Sequence, residues 1–209
     1  LRLSISRGDE LVSIRDEIQH IRNYLTIQKI RYKDMLDFSI DVDSSIQDLL
    51  VPKVILQPLV ENAIYHGIKN KEGGGAVSVR GRREGEDIIL SVSDDGVGVD
   101  PSHMKRMLLD TEEGGTAQVR ERERAGAGAS SRNAASETVL ERYRRLPRRR
   151  AKVGVGNVHE RIRLYFGDGY GLRFRHNEET QEGGTVVEIR LPVVTSNGDH
   201  RRLAPEDGK

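Results

Sequence analysis

Two directly consecutive pairs of strand-like segments constrain this fold more than any other feature. Ala76–Arg82 and Asp87–Val92 carry their apolar residues at strand spacing, and only Arg83-Glu84-Gly85-Glu86 separates them. A link that short suits a hairpin. Leu172–Phe174 and Val186–Leu191 repeat the arrangement around Gly183-Gly184, with Pro192 closing the second segment. Leu36–Val42 alternates as well, through Leu36, Phe38, Ile40 and Val42. Strands that follow one another, rather than standing singly between helices, predict a mixed, mainly antiparallel sheet. With helices covering one face, this is an α+β fold of two layers, a two-layer α/β sandwich.

The helices show a different period. Ile14, Ile18, Ile21 and Leu25 recur at helical spacing, and Ser13 with Asp16 forms an N-cap pair, predicting a long amphipathic helix over about 14–33. The stretch Leu56 to Gly67, LQPLVENAIYHG, wound as a helix, puts Ile55, Leu56, Leu59, Val60, Ala63 and Ile64 on one apolar face. Pro52 is expected in its first turn, and Pro58 is expected to bend it by removing a backbone donor. Asn62 and His66 are four residues apart and Lys69 three further on, so an ideal helix aligns them on its polar side. An amide oxygen suits a hard cation, and the other two groups suit anionic oxygens. A polar stripe opposite a core face is also what an ordinary surface helix shows. A last helical pattern runs through Val158, Ile162, Tyr165 and Phe166.

Composition excludes several classes. Of the 209 residues 32% are charged, yet the net charge is +1, so no global field for nucleic acid follows. Aromatics reach only 4%, too few for a base-stacking surface. There is no cysteine, which removes disulfides, thiolate metal sites and thiol nucleophiles. No stretch approaches the roughly 20 apolar residues of a membrane span. The sequence opens at Leu1 rather than methionine, so a piece of a longer protein is expected.

Two glycine-bearing motifs carry chemistry. Asp94-Asp95-Gly96-Val97-Gly98 follows a strand. A carboxylate at a strand end is a strong acceptor for an exocyclic amine such as that of adenine. Gly96 and Gly98 leave room for a planar ring against the backbone. Gly154-Val155-Gly156-Asn157 leads into the last helix, whose free backbone donors suit phosphate oxygens. Between the motifs, about 111–152 is poor in apolar residues and rich in arginine, including Arg148-Arg149-Arg150. It reads as a long excursion, either a functional lid or a solvated insert. Asp100-Pro101 is expected to cap a helix ahead of it.

The order of these motifs is similar to that in the ATP-binding catalytic region of bacterial sensor histidine kinases, within the gyrase/Hsp90/histidine-kinase/MutL ATPase superfamily. QPLVENAIYHG resembles the N box of the YesM/LytS-like branch, DDGVG its G1 box, VGVGNVHERIRLYFGDGYGL its G2 region and GGTVVEIRLP its closing strand. HIRNYLTIQKIRY resembles the segment preceding the catalytic domain. The resemblance covers about residues 1–194 apart from the lid.

The resemblance implies a Bergerat-type ATP-binding fold with ATP and Mg²⁺ as cofactors, and transfer of the γ-phosphoryl group to a histidine. Asn62 would bind the metal. Asp94 would accept from the adenine amino group, with Gly96 and Gly98 shaping the base pocket. Gly154, Gly156 and Asn157 would lie by the phosphates, with His66 and Lys69 as further phosphate-side groups. Glu61 and His66 join Asn62 as candidate catalytic residues. Residues 1–35 would be the end of a dimerisation and phosphoacceptor region, 36–194 the catalytic domain with helix and lid over 101–152, and 195–209 a disordered tail. Expected partners are the histidine-bearing dimerisation domain of a homodimeric parent and a response regulator, with no nucleic acid. The parent would be membrane-anchored, with this region cytoplasmic.

There are departures. Lys152 stands where the branch usually has glycine, so either the lid hinge is altered or Lys152 meets phosphate. None of His20, His66, His103, His159, His176 or His200 sits in a Pro-His-Phe-hydrophobic-Asn context, so the acceptor histidine is expected outside this chain. A hydrolysing ATPase of the gyrase or Hsp90 type is the alternative. Such enzymes place a glutamate one helical turn before the metal-binding asparagine, and Pro58 occupies that position here. An arginine-rich binding module is a third reading.

Overall fold

The computed structural model describes residues 11–69, 71–98, 154–180 and 183–195. The expected helix after Asp100, the lid, Lys152 and the tail beyond Thr195 lie outside the described residues.

A short strand β1 (Leu11–Ser13) leads into helix α1 (Ile14–Tyr32). The Ser13 hydroxyl accepts from the Asp16 N–H at 3.1 Å, the N-cap the sequence predicts. After a 3₁₀ turn come β2 (Leu36–Val42) and a short strand β3 (Leu50–Pro52). Helix α2 (Gln57–Asn62) continues as a π-helical turn over Ala63–Ile68. The hairpin of β4 (Gly75–Glu84) and β5 (Asp87–Asp94) follows. Beyond the undescribed segment stand α3 (Val155–Phe166), β6 (Gly171–His176) and β7 (Thr185–Pro192).

The main sheet runs β2-β4-β5-β7-β6. Only β2 and β4 are parallel; the other three pairings are antiparallel. The mixed, mainly antiparallel sheet expected from the paired strands is therefore present. Register explains its faces. Val77, Val79 and Gly81 sit opposite Asp94, Val92 and Leu90, so Ile88, Leu90, Val92 and Asp94 share one face of β5. That face belongs to the core that also holds Leu59, Ile64 and Ile162. Each fully buried aliphatic side chain there contributes roughly 1.5–3 kcal/mol. On the opposite face Asp87 is nearly covered, and its carboxylate accepts from Arg190 Nε at 2.6 Å.

Two proline expectations need correction. Pro52 does not open a helix; it ends β3, where Leu11 of β1 pairs with it in a separate two-stranded sheet. Pro58 does not bend α2, because the helix begins only at Gln57 and Pro58 falls in its first turn. There its missing N–H has no intrahelical partner to lose. The β1–β3 pairing has no signature in the sequence pattern. Strands of three residues carry too little alternation to be read.

Candidate adenine and phosphate site

Asp94 ends the central strand on its core-facing side, so strand parity alone directs the carboxylate toward the helices. It is only 4% exposed. The Gly96 N–H donates to Oδ1 at 3.0 Å. Burial nonetheless outweighs this bond and the one from the Thr185 backbone, and pushes the carboxyl up from 3.8 to about 6.

Its surroundings are built by close backbone approach. A Cβ on Gly67, in the π-helical turn, would stand 2.5 Å from Asp94 Oδ1, and one on Gly96 would overlap the Gly67 backbone. The Val97 N–H donates to the Gly67 carbonyl at 3.3 Å, which closes this contact. Gly96 lets the loop after β5 lie directly on the helix. From the far side, Gly184 at φ +113 brings the β6–β7 turn onto Asp94. Asn177 Nδ2 donates to the Asp94 carbonyl at 2.8 Å and fixes that turn.

Asp95, its neighbour, is fully occupied. Its Oδ1 accepts from the Ala76 N–H at 2.8 Å, and its Oδ2 lies 3.4 Å from Lys71 Nζ. The adjacent acids therefore divide: Asp95 ties the loop to β4, and Asp94 is the buried one.

One residue was not marked by sequence pattern. Thr185 is 1% exposed beside Asp94, and its hydroxyl oxygen is buried with no hydrogen-bond partner. An orphaned hydroxyl next to a strained carboxylate fits a missing polar ligand or water. The only sequence signal was a threonine opening the closing strand.

The helix-borne candidates sit as follows. Asn62 and Glu61 are half-buried at the end of α2, and His66 and Lys69 are exposed. The turn widens to i→i+5 bonding, with the Lys69 N–H donating to the Ile64 carbonyl at 3.0 Å. A π turn advances less per residue than the α-helix on which the stripe was drawn. The Lys69 ammonium lies over the Tyr65 ring, 5.4 Å from its centroid. Gly154 caps α3 with no side-chain bond, and Gly156 and Asn157 lie half-buried in its first turn. Gly98 closes the described part of its loop near Gly184.

Comparison with known proteins places this geometry. The family described as histidine kinase-, DNA gyrase B- and HSP90-like ATPases matches residues 48–195, and a histidine kinase family matches residues 1–36. The chain therefore belongs to the histidine kinase-, DNA gyrase B- and HSP90-like ATPase family. Within it, the chain is a catalytic ATPase domain of the sensor histidine kinase kind. It is 30% identical to sensor histidine kinase YesM of Bacillus subtilis over 192 residues, covering 92% of this chain and 26% of that protein. It is 28% identical to sensor histidine kinase YpdA of Escherichia coli, covering 93% of this chain and 28% of that one. The chain thus spans about a quarter of the length of these relatives. The solved catalytic domain of histidine kinase ThkA is similar in fold, with a TM-score of 0.52 at 11% identity, over 91% of this chain and 97% of that one.

Proposed function

We propose that the chain binds ATP with Mg²⁺ and transfers the γ-phosphoryl group to a histidine outside this chain. The observation that carries the reading is Asp94: a buried carboxylate pushed up to about 6, packed against glycine backbone, beside Thr185, whose hydroxyl has no partner. A planar ring with an exocyclic amine satisfies the carboxylate. On this reading Gly96 and Gly98 border the base. Gly154, Gly156 and Asn157 meet the phosphates from the start of α3, with His66 and Lys69 on the α2 side.

The donor set fits Mg²⁺ carried by the nucleotide. Among the described residues no cluster of three or more His, Asp or Glu side chains can hold a cation by itself. A cation here would take most of its oxygens from phosphate and water, with the half-buried Asn62 supplying one amide oxygen, as Mg²⁺ does. When bound, it would neutralise phosphate charge. Glu61, beside Asn62, is the acid placed to serve the transfer.

The chain's matches to sensor kinases support a response regulator as the next partner; a solved structure of kinase ThkA, similar in fold at a TM-score of 0.52 and 13% identity over 88% of this chain and 41% of that one, holds its regulator TrrA. A dimeric, membrane-anchored parent with this region cytoplasmic belongs to the same proposal. Among the described residues no helix is long and apolar enough to cross a membrane.

The test mixes the chain with ATP, Mg²⁺ and a separately made histidine-bearing segment of the parent. Acid-labile phosphohistidine is expected, with tight adenine-nucleotide binding that Asp94→Asn weakens. Steady release of inorganic phosphate with no phosphohistidine would instead support the hydrolysing-ATPase alternative.

A further inference from the structure

Helix α1 lies along α2 through a row of polar groups at one-turn intervals. Glu17 comes first and is 3% exposed. Its Oε2 accepts from the Val54 N–H at 3.0 Å, and its Oε1 from the Ile55 and Leu56 N–H groups at 2.8 and 3.0 Å. Leu56 is the N-cap of α2 and offers no capping side chain. A carboxylate from another helix therefore does the capping and sits at the positive end of α2. From the opposite side Arg161 Nη2 donates to the Val54 carbonyl at 3.0 Å, and Val54 holds φ +60. The start of α2 is thus fixed by both α1 and α3.

One turn along α1, His20 Nε2 lies 2.8 Å from Gln57 Oε1. Gln57 Nε2 in turn donates to Glu61 Oε1 at 2.8 Å. The polarity of this chain is determined. Turning the Gln57 amide over would set its oxygen against the Glu61 carboxylate, so Nε2 faces Glu61 and Oε1 faces His20. His20 must then carry its proton on Nε2. One more turn along α1 stands Tyr24, whose hydroxyl is pushed up by burial and then by the Glu61 carboxylate. Glu61 is therefore flanked by α1 and tethered through one oxygen. Among the described residues its second oxygen accepts no hydrogen bond.

We infer that His20 and Gln57 are positioning residues that hold the Glu61 carboxylate as proton acceptor for the attacking histidine. The inference rests on the proposed phosphoryl transfer to a histidine. In that step the free imidazole nitrogen forms the N–P bond while the bond from the γ-phosphorus to the β–γ bridging oxygen breaks. Its electron pair leaves with ADP. The N–H proton of the imidazole passes to the open oxygen of Glu61. Because one end of the relay is on α1, the alignment of this base depends on how α1 is seated.

The experiment uses the chain with Mg²⁺-ATP and the parent's histidine-bearing segment, and measures nucleotide binding and phosphohistidine formation separately. Glu61→Gln is expected to lower kcat roughly 100-fold or more, as loss of a general base does, with KM for ATP unchanged. His20→Leu and Gln57→Leu are expected to lower kcat about 10-fold, again without moving KM, as misplacement of a catalytic group does. His20→Gln, which retains a donor at the same reach, restores the rate. In the free chain, the ring ¹⁵N resonances of His20 report protonated Nε2, and Gln57→Leu abolishes that preference. Wild-type kcat in His20→Leu, an equal loss in His20→Gln, or unchanged ring resonances in Gln57→Leu overturns the relay. Failure of the underlying reading looks different: the wild type itself binds nucleotide and transfers nothing.

Discussion

Replacing Asp94 by asparagine should move stability and nucleotide binding in opposite directions. The carboxyl rises from 3.8 to about 6 on folding, chiefly through burial. A carboxyl raised in the folded state favours folding fully below its unfolded value and loses that contribution as pH climbs to the folded value. Across that window of about two pH units the ionised group costs roughly 3 kcal/mol, all of it present at pH 7. Asparagine keeps an oxygen for the Gly96 N–H and removes the charge. The variant is therefore expected to be about 2–3 kcal/mol more stable than wild type at pH 7, and close to equal below pH 4. In the binding reaction its amide nitrogen would face the incoming amine, donor against donor. Losing a charge-assisted bond and leaving that clash costs about 2–3 kcal/mol, or roughly 30- to 150-fold in Kd. Urea unfolding at pH 4 and pH 7, with calorimetric titration by Mg²⁺-ATP, reads both quantities on the same samples. A variant that is less stable at pH 7, or that binds ATP as wild type does, refutes the reasoning. Weakened binding alone in a destabilised protein would only report damage.

Three further outcomes follow from the same geometry. Wild-type ATP affinity should fall as pH drops below about 6, where Asp94 protonates, and binding near pH 6 should release protons measurable by calorimetry in buffers of different ionisation heat. Glu17→Ala leaves the buried N–H groups of Ile55 and Leu56 without an acceptor, at a cost of about 2–5 kcal/mol in urea unfolding; Glu17→Gln should cost less because it retains one oxygen. Thr185→Val should leave unfolding stability equal or higher, since its hydroxyl has no partner in the folded chain, yet weaken nucleotide binding; a clear loss of stability would show that the hydroxyl is satisfied without ligand.

Much of the fold was legible because its signals were local. The β4–β5 hairpin and its register follow from alternation, a four-residue link and one buried face. The core face of α2 and the Ser13 cap were legible for the same reason. What escaped the sequence depends on contacts between distant segments. Leu50–Pro52 became a strand because Leu11–Ser13 lies beside it, and that pairing displaced the helix start from Pro52 to Gln57. The π turn at Ala63–Ile68 lies against the loop after β5, a contact between distant segments that a period of 3.6 cannot encode. Glu17 reads as an ordinary charge in the first turn of a helix until the three N–H groups near residue 55 arrive. Thr185 reads as a strand former until its hydroxyl is found without a partner.

The two adjacent acids state the logic of the site most compactly. Asp94 and Asp95 are chemically identical and adjacent, but Asp94 ends β5 and Asp95 opens the loop after it. Asp95 is met by the Ala76 N–H and the Lys71 ammonium. Asp94 is turned inward against glycine backbone, where burial outweighs the pull of the Lys71 charge and of its two backbone hydrogen bonds. An ionised acid in that position opposes folding, and nothing in the surrounding core requires one there. An aliphatic residue at 94 would continue the packing of Ile88, Leu90 and Val92 but leave the Gly96 and Thr185 N–H groups without this acceptor, whereas a neutral amide keeps one oxygen and drops the charge. A position at which the fold would be more stable without its charge is explained by what the charge does for a ligand. This is why the asparagine variant is the decisive one: it separates the cost that Asp94 imposes on the free chain from the gain it supplies to the complex.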